Sequence, residues 1–161
     1  MRCVCDLYRP LELIRDAIDQ RIGETRKIRW GLRLIAKHPN GEHRYYKCKT
    51  CHQAWQMSRA WNWGNRLYLF QVIDVEIAEW NNQPFVQPDE IFIYGALMEG
   101  FLHSNKFVET ETRCKAIGCP SFANEYSVFC LQHHIESLQA NRALPREPYG
   151  RKFPPYEDLI F

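Results

Sequence analysis

The feature that most constrains this chain is a spaced set of soft metal ligands, Cys114-x4-Cys119-x10-Cys130-x2-His133, with His134 beside the last of them. Two thiols on a tight loop next to Gly118 and Pro120 supply half of a tetrahedron. Residues i and i+3 lie on one face of a helix, so Cys130 at a helix start and His133 in its first turn supply the other half. Three thiolates and an imidazole suit zinc, whereas calcium and magnesium take oxygen ligands. The i+3 spacing favours His133 over His134 as the fourth ligand. The alternative is a set of buried free thiols beside an exposed histidine pair.

The count of thiols points the same way. The chain has seven cysteines, an odd number, and the stretch from Met1 to Gln20 carries charges throughout where an export signal needs an unbroken apolar run. That predicts a cytoplasmic protein, in whose reducing surroundings thiolates hold metals rather than form disulfides. Cys48-x2-Cys51 reads as a knuckle at a strand end, and the thiols left to complete it are Cys3 and Cys5. A second zinc held by Cys3, Cys5, Cys48 and Cys51 is therefore the leading reading. Replacement of one thiolate by His52, His43 or His38, or the absence of a second metal, stays open at this point. A redox role for Cys48 and Cys51 is disfavoured, because such a motif opens a helix in a βαβ unit and this one lies between predicted strands. Both ions would be structural, since protein side chains can fill every position.

With 161 residues, 45% of them hydrophobic, the chain is predicted to form a single α+β domain over 1–161 with no membrane span. Pro10 and the spacing of Leu11, Ile14, Ala17, Ile18 and Ile22 predict a helix over 10–22, stopped by Gly23. Alternation from Ile28 to Lys37 predicts a strand, and Asn40-Gly41 a hairpin turn into a second strand over 43–47. A third strand follows at 53–61, and Gly64-Asn65 reads as a two-residue loop into the strand RLYLFQVI. The segment 1–73 is thus a helix plus an antiparallel meander bearing the knuckle. Segment 74–110 is acidic and helical, with Asp74 capping a short helix and Pro88 opening a longer one whose stripe is Ile91, Tyr94, Leu97, Phe101 and Leu102. Segment 111–140 is the zinc knuckle and helix. Segment 141–161, with Pro145, Pro148, Pro154 and Pro155, is an extended tail whose last apolar residues, Leu159, Ile160 and Phe161, are expected to dock on the body.

The net charge of +2 conceals an asymmetry. From Arg21 to Lys49, nine Lys/Arg against two Glu give +7, and from Asp74 to Glu111, eight acids against Lys106 give −7. The acidic block suits a basic partner, and the basic block suits nucleic acid. Trp55, Trp61, Trp63, Tyr45, Tyr46 and Tyr68 are expected chiefly to fill the core. There is no glycine-rich phosphate loop, no His-Glu-x-x-His and no serine elbow, so no enzyme is predicted. Glu136 reads as a carboxylate that is either solvated or supports His133.

Cys114, Cys119, Cys130 and His133 resemble the treble-clef-like zinc modules that accompany some HNH-type endonucleases. An HNH enzyme would also need a metal-binding histidine beyond its catalytic pair, and no histidine follows His134. The sheet with its knuckle, the segment YGALMEGFLHSN and the zinc-bearing C-terminal part together resemble immunity proteins encoded beside bacterial polymorphic toxins. That resemblance implies tight binding of a cognate toxin, with Asp74, Glu76, Glu79, Asp89, Glu90 and Glu99 as contacts. The alternatives are a nucleic-acid-binding zinc protein or a divergent nuclease built on His133 and His134.

Overall fold

The computed structural model describes residue 3 and residues 5–157. The fold is α+β, with a four-stranded antiparallel sheet in the order β1-β2-β3-β4. The chain divides into two compact units, one running to Phe92 and resuming at Pro148, the other Ile93–Glu147. The second unit thus combines parts of three of the segments drawn from sequence, and the tail returns to the first. No helix among the described residues is long and apolar enough to cross a membrane.

In the first unit, helix α1 (Arg15–Trp30) starts later than the sequence predicts and runs through Gly23. Its buried stripe is Ile18, Arg21, Ile22, Thr25 and Ile28. Gly23 faces solvent and a Cβ there would meet nothing, so it costs about 1 kcal/mol of propensity. Burying Ile28 returns about 1.5–3 kcal/mol, which is why the helix does not stop. Ile28 and Trp30 accordingly belong to α1, and strand β1 (Leu32–Lys37) is shorter than its alternation suggested, with an irregularity between Leu34 and Ala36.

Strands β2 (Arg44–Cys48), β3 (Ala54–Ala60) and β4 (Arg66–Val72) complete the meander. Ala60 pairs with Arg66, so the loop between β3 and β4 has five residues: a 3-10 turn, Trp61–Trp63, then Gly64 and Asn65, both left-handed. This replaces the expected two-residue loop. On one face of the sheet Tyr46, Cys48, Trp55, Met57 and Leu69 pack with Ile28 of α1. Arg21 is buried there too, donating to the carbonyls of Leu69 and Arg9 at 3.3 and 2.9 Å.

The opposite face is covered as well. Helix α2 (Ile77–Asn82) sets Trp80 5.4 Å from the ring of Tyr45, and Phe153 of the tail lies 6.1 Å from Phe70 and 5.1 Å from Phe85. The tail is held by backbone bonds, Arg151 N–H to Pro84 O at 2.7 Å and Val86 N–H to Arg151 O at 3.1 Å. Gly150 permits that crossing, since a Cβ there would lie 2.5 Å from the Val86 nitrogen. Leu159, Ile160 and Phe161 lie outside the described residues. With both faces covered, Tyr45, Tyr46, Trp55, Trp63 and Tyr68 are buried, while Trp61 is half exposed.

Polar residues on the second face are satisfied by a clamp. Gln56 Nε2 donates to Phe85 O and Ser58 Oγ, and Gln56 Oε1 accepts from Trp80 Nε1 and Phe85 N. Asp74 does not cap α2, whose first turn lacks a side-chain cap; it accepts instead from Tyr45 Oη at 2.9 Å and Lys47 Nζ at 2.7 Å. The carboxylate thereby ties to β2 rather than to the helix end, with a full cation, Lys47, as one of its partners.

Helix α3 (Pro88–Ser104) begins at the predicted proline and continues into the second unit. Of its predicted stripe, Ile91 is buried, whereas Leu97 and Leu102 are exposed and Met98 is buried instead. Beyond it, β5 (Glu109–Arg113) and β6 (Phe122–Asn124) form a two-stranded ribbon, followed by α4 (Leu131–Ala140).

Candidate metal centres

The seven cysteines are all free thiols, and they form two groups. In the second unit, Cys114 leaves the end of β5, Gly118 turns the chain with φ +76°, and Cys119 follows. Cys130 occupies the N-cap position of α4 and His133 lies in its first turn. The ligand atoms of Cys114, Cys119, Cys130 and His133 all lie within 4.8 Å of one another. Individual separations are 3.9 Å for Cys119–Cys130, 3.5 Å for Cys114 Sγ to His133 Nδ1 and 3.2 Å for Cys130 Sγ to His133 Nδ1. Around a tetrahedral zinc, two sulfurs sit about 3.8 Å apart and a sulfur and an imidazole nitrogen about 3.6 Å apart. The donors therefore match the expected set, with Nδ1 as the inward nitrogen. Glu136 Oε2 is 3.9 Å from the other nitrogen of His133, too long for a hydrogen bond. His134 stands outside the group, its Nδ1 3.2 Å from Ser127 Oγ.

The first unit holds Cys3, Cys5, Cys48 and Cys51, whose sulfurs are likewise within 4.8 Å of one another. Cys3 is 3.6 Å from Cys48 and 3.1 Å from Cys51. Cys48 ends β2, and the left-handed backbone of His52, φ +62°, closes the knuckle. Cys5 lies in a short 3-10 turn, Cys5–Leu7, and belongs to the apolar cluster under α1. Four thiols fill this group, and His52, His43 and His38 are not in it.

The thiols are prepared for ionisation unequally. Burial raises Cys48, but the backbone N–H groups of Cys51 and Thr50 and the thiols of Cys5 and Cys3 outweigh it and bring Cys48 down to about 6. Burial pushes Cys5 well up. Cys114 comes down to about 7, because the N–H groups of Cys130 and Ala116 outweigh burial. One sulfur in each group thus enters the thiolate form near neutral pH, as a metal ligand must.

The acidic residues are dispersed in role. Asp89 is fully buried against Tyr68, so it cannot contact a partner, contrary to the sequence reading. Burial, only partly offset by the Tyr68 hydroxyl, raises it to about 6. Asp74 is tied to Lys47, Glu79 lies 3.4 Å from Arg151 and Glu99 lies 3.7 Å from His103, while Glu76 is exposed at the N-cap position of α2.

Sequence reasoning missed one surface. Trp30, 75% exposed at the end of α1, lines a pocket with Arg26, Arg29 and Lys49. Their i, i+3 and i+4 spacing is visible only once α1 is extended past Gly23. No protein-family model, no curated protein and no solved structure matches the chain.

Proposed function

We propose that each four-donor group holds one structural zinc ion and that the stapled protein acts without catalysis, binding and neutralising a basic protein partner. The partner we favour is a cognate antibacterial toxin, in the manner of the immunity proteins that the sequence resembles. The observation that carries the metal reading is that α4 has no fully buried residue. A ten-residue helix is marginal on its own, and here its apolar residues Leu131, Ile135 and Leu138 are only half-buried. Coordination through Cys130 and His133 supplies the anchor, worth roughly 10 kcal/mol in small zinc modules. Thiolate-rich sets favour zinc over hard ions, and a filled tetrahedron leaves no position for substrate.

Partner binding is supported by the acidic side chains that reach solvent, Glu76 at the N-cap of α2, Glu79 on α2 and Glu99 on α3. Purification from native cells, with nuclease added and in moderate salt, should recover one stoichiometric basic protein. The double variant Glu76→Lys, Glu79→Lys should bind it about 10-fold more weakly. Unchanged affinity would remove the acidic face from the account.

A second reading is favoured by Trp30. A largely exposed indole among three cations, with Arg26 and Arg29 in no ion pair among the described residues, suits base stacking with phosphate contacts. It predicts oligonucleotide binding that falls steeply with salt and weakens in Arg29→Ala for every sequence alike. An absence of binding at low salt would end it.

A further inference from the structure

A cleft of about 380 Å³ opens in the first unit, lined by His38, Glu42 and His43 from the β1–β2 loop and by Gln87, Glu90 and Tyr149 from the other side. That volume lies at the small end of the range for small-ligand sites, about 300–1,000 Å³. No lysine or arginine lines it. Neither imidazole brings positive charge by virtue of its contacts. His38 Nδ1 accepts the Asn40 N–H at 3.3 Å and its Nε2 is 3.0 Å from the Asn81 carbonyl, the pattern of a neutral ring protonated on Nε2. His43 Nδ1 is 2.9 Å from Ser58 Oγ, and burial lowers its pKa.

The other wall carries no positive charge. Neither Glu42 nor Glu90 has an ion-pair partner among the described residues. Gln87 Nε2 donates to Glu90 Oε1 at 2.9 Å, which leaves Gln87 Oε1 with no hydrogen-bond partner on a residue only 5% exposed. A buried acceptor without a donor costs about 1–3 kcal/mol. Burial, then Asp89 and more weakly Glu42, push Glu90 up to about 7. Each of these features would be relieved by one cationic, donor-rich group in the cleft.

We propose that the cleft is a receptor for the guanidinium of an arginine side chain, with Glu90 and Glu42 as its charge partners and Gln87 as a further acceptor. Guanidinium is preferred to ammonium because its planar fork serves several acceptors at once and stacks on a ring, here Tyr149 at the rim. The inference deepens the reading of a basic protein partner and rests on it for the source of the arginine.

The test uses the full chain, zinc-loaded and nitrogen-15 labelled, titrated with Nα-acetyl-arginine methylamide while amide shifts are followed. Saturable shifts confined to residues 38–43, 82–90 and the neighbourhood of Tyr149 are expected. The uncharged citrulline analogue and the Glu42→Gln and Glu90→Gln variants should each bind about 10-fold more weakly, with the spectra remaining dispersed. The lysine analogue should fall below arginine. No saturable shift, equal binding of citrulline or lysine, or wild-type affinity in both variants would overturn the proposal. Binding of the arginine probe with no basic protein recovered from cells would retire the partner reading alone; recovery of a partner with the cleft silent would retire the cleft alone.

Discussion

Replacing Gln56 by leucine tests how the two covered faces of the sheet are held. The side chain is fully buried and makes four hydrogen bonds, to Ser58, twice to Phe85 and to Trp80. Leucine fills similar space but leaves Trp80 Nε1, Phe85 N and Phe85 O without those partners. Ser58 Oγ keeps its contact with His43. Three orphaned groups at about 1–3 kcal/mol each, less about 1–2 kcal/mol for added apolar burial, give a net loss between about 1 and 8 kcal/mol, with a central value of about 4–5 kcal/mol. That is a large share of the 5–15 kcal/mol typical of whole domains. Denaturant unfolding followed by tryptophan fluorescence, with zinc retained, measures the loss. Gln20→Leu, where an exposed amide bonds Glu24 at 3.1 Å, is the control and should change stability by less than about 0.5 kcal/mol. A loss below about 1 kcal/mol in Gln56→Leu would refute the clamp.

Gly23→Ala should raise stability by about 0.5–1 kcal/mol and the melting midpoint by about 1–4 °C, because the position is an exposed helix interior; a decrease would mean that the glycine ends the helix after all. Glu90 makes the protein pH-sensitive in a defined direction. Its folded pKa, about 7, exceeds its ordinary 4.5, so the folded state holds the proton more tightly. The associated stability is present at low pH and lost as pH rises through about 7. Full desolvation would make this about 3 kcal/mol, and screening by solvent on the open side cuts it to about 1–2 kcal/mol. Urea unfolding of wild type and Glu90→Gln from pH 5 to 8 should show the variant gaining on the wild type, and a pH-independent difference would contradict it; zinc–proton competition cancels between the two. Cys114→Ser should lose one metal per chain and the amide dispersion of residues 114–140 while the indole signals of the sheet persist; an unchanged spectrum would show that the metal does not hold α4.

Local patterns made part of this structure readable. The spacing of Cys114, Cys119, Cys130 and His133 encodes its own geometry, because a knuckle and one helical turn bring donors together without help from the rest of the chain. The meander was legible for the same reason, through the alternation leading into β1, the turn at Asn40-Gly41 and the apolar run RLYLFQVI. Long-range packing hid the rest. The burial of Gln56 and Ser58 has no local signal, because nothing nearby in sequence reveals that Trp80, Phe85 and Phe153 cover that face. Gly23 reads as a terminator because the burial of Ile28 that carries the helix through is set by β4 and its neighbours. Asp89 reads as a surface acid because its partner, Tyr68, is on a distant strand. The cleft with Glu42 and Glu90 draws its walls from segments forty residues apart or more, so no sequence motif marks it.

The most direct test of the central claim is native mass spectrometry of the protein purified under reducing conditions, with the metal identified by elemental analysis of the same sample. Two zinc ions per chain are predicted, falling to one in either Cys114→Ser or Cys48→Ser. A chain that is folded and metal-free, or one whose metal content is the same in both variants as in the wild type, would contradict it.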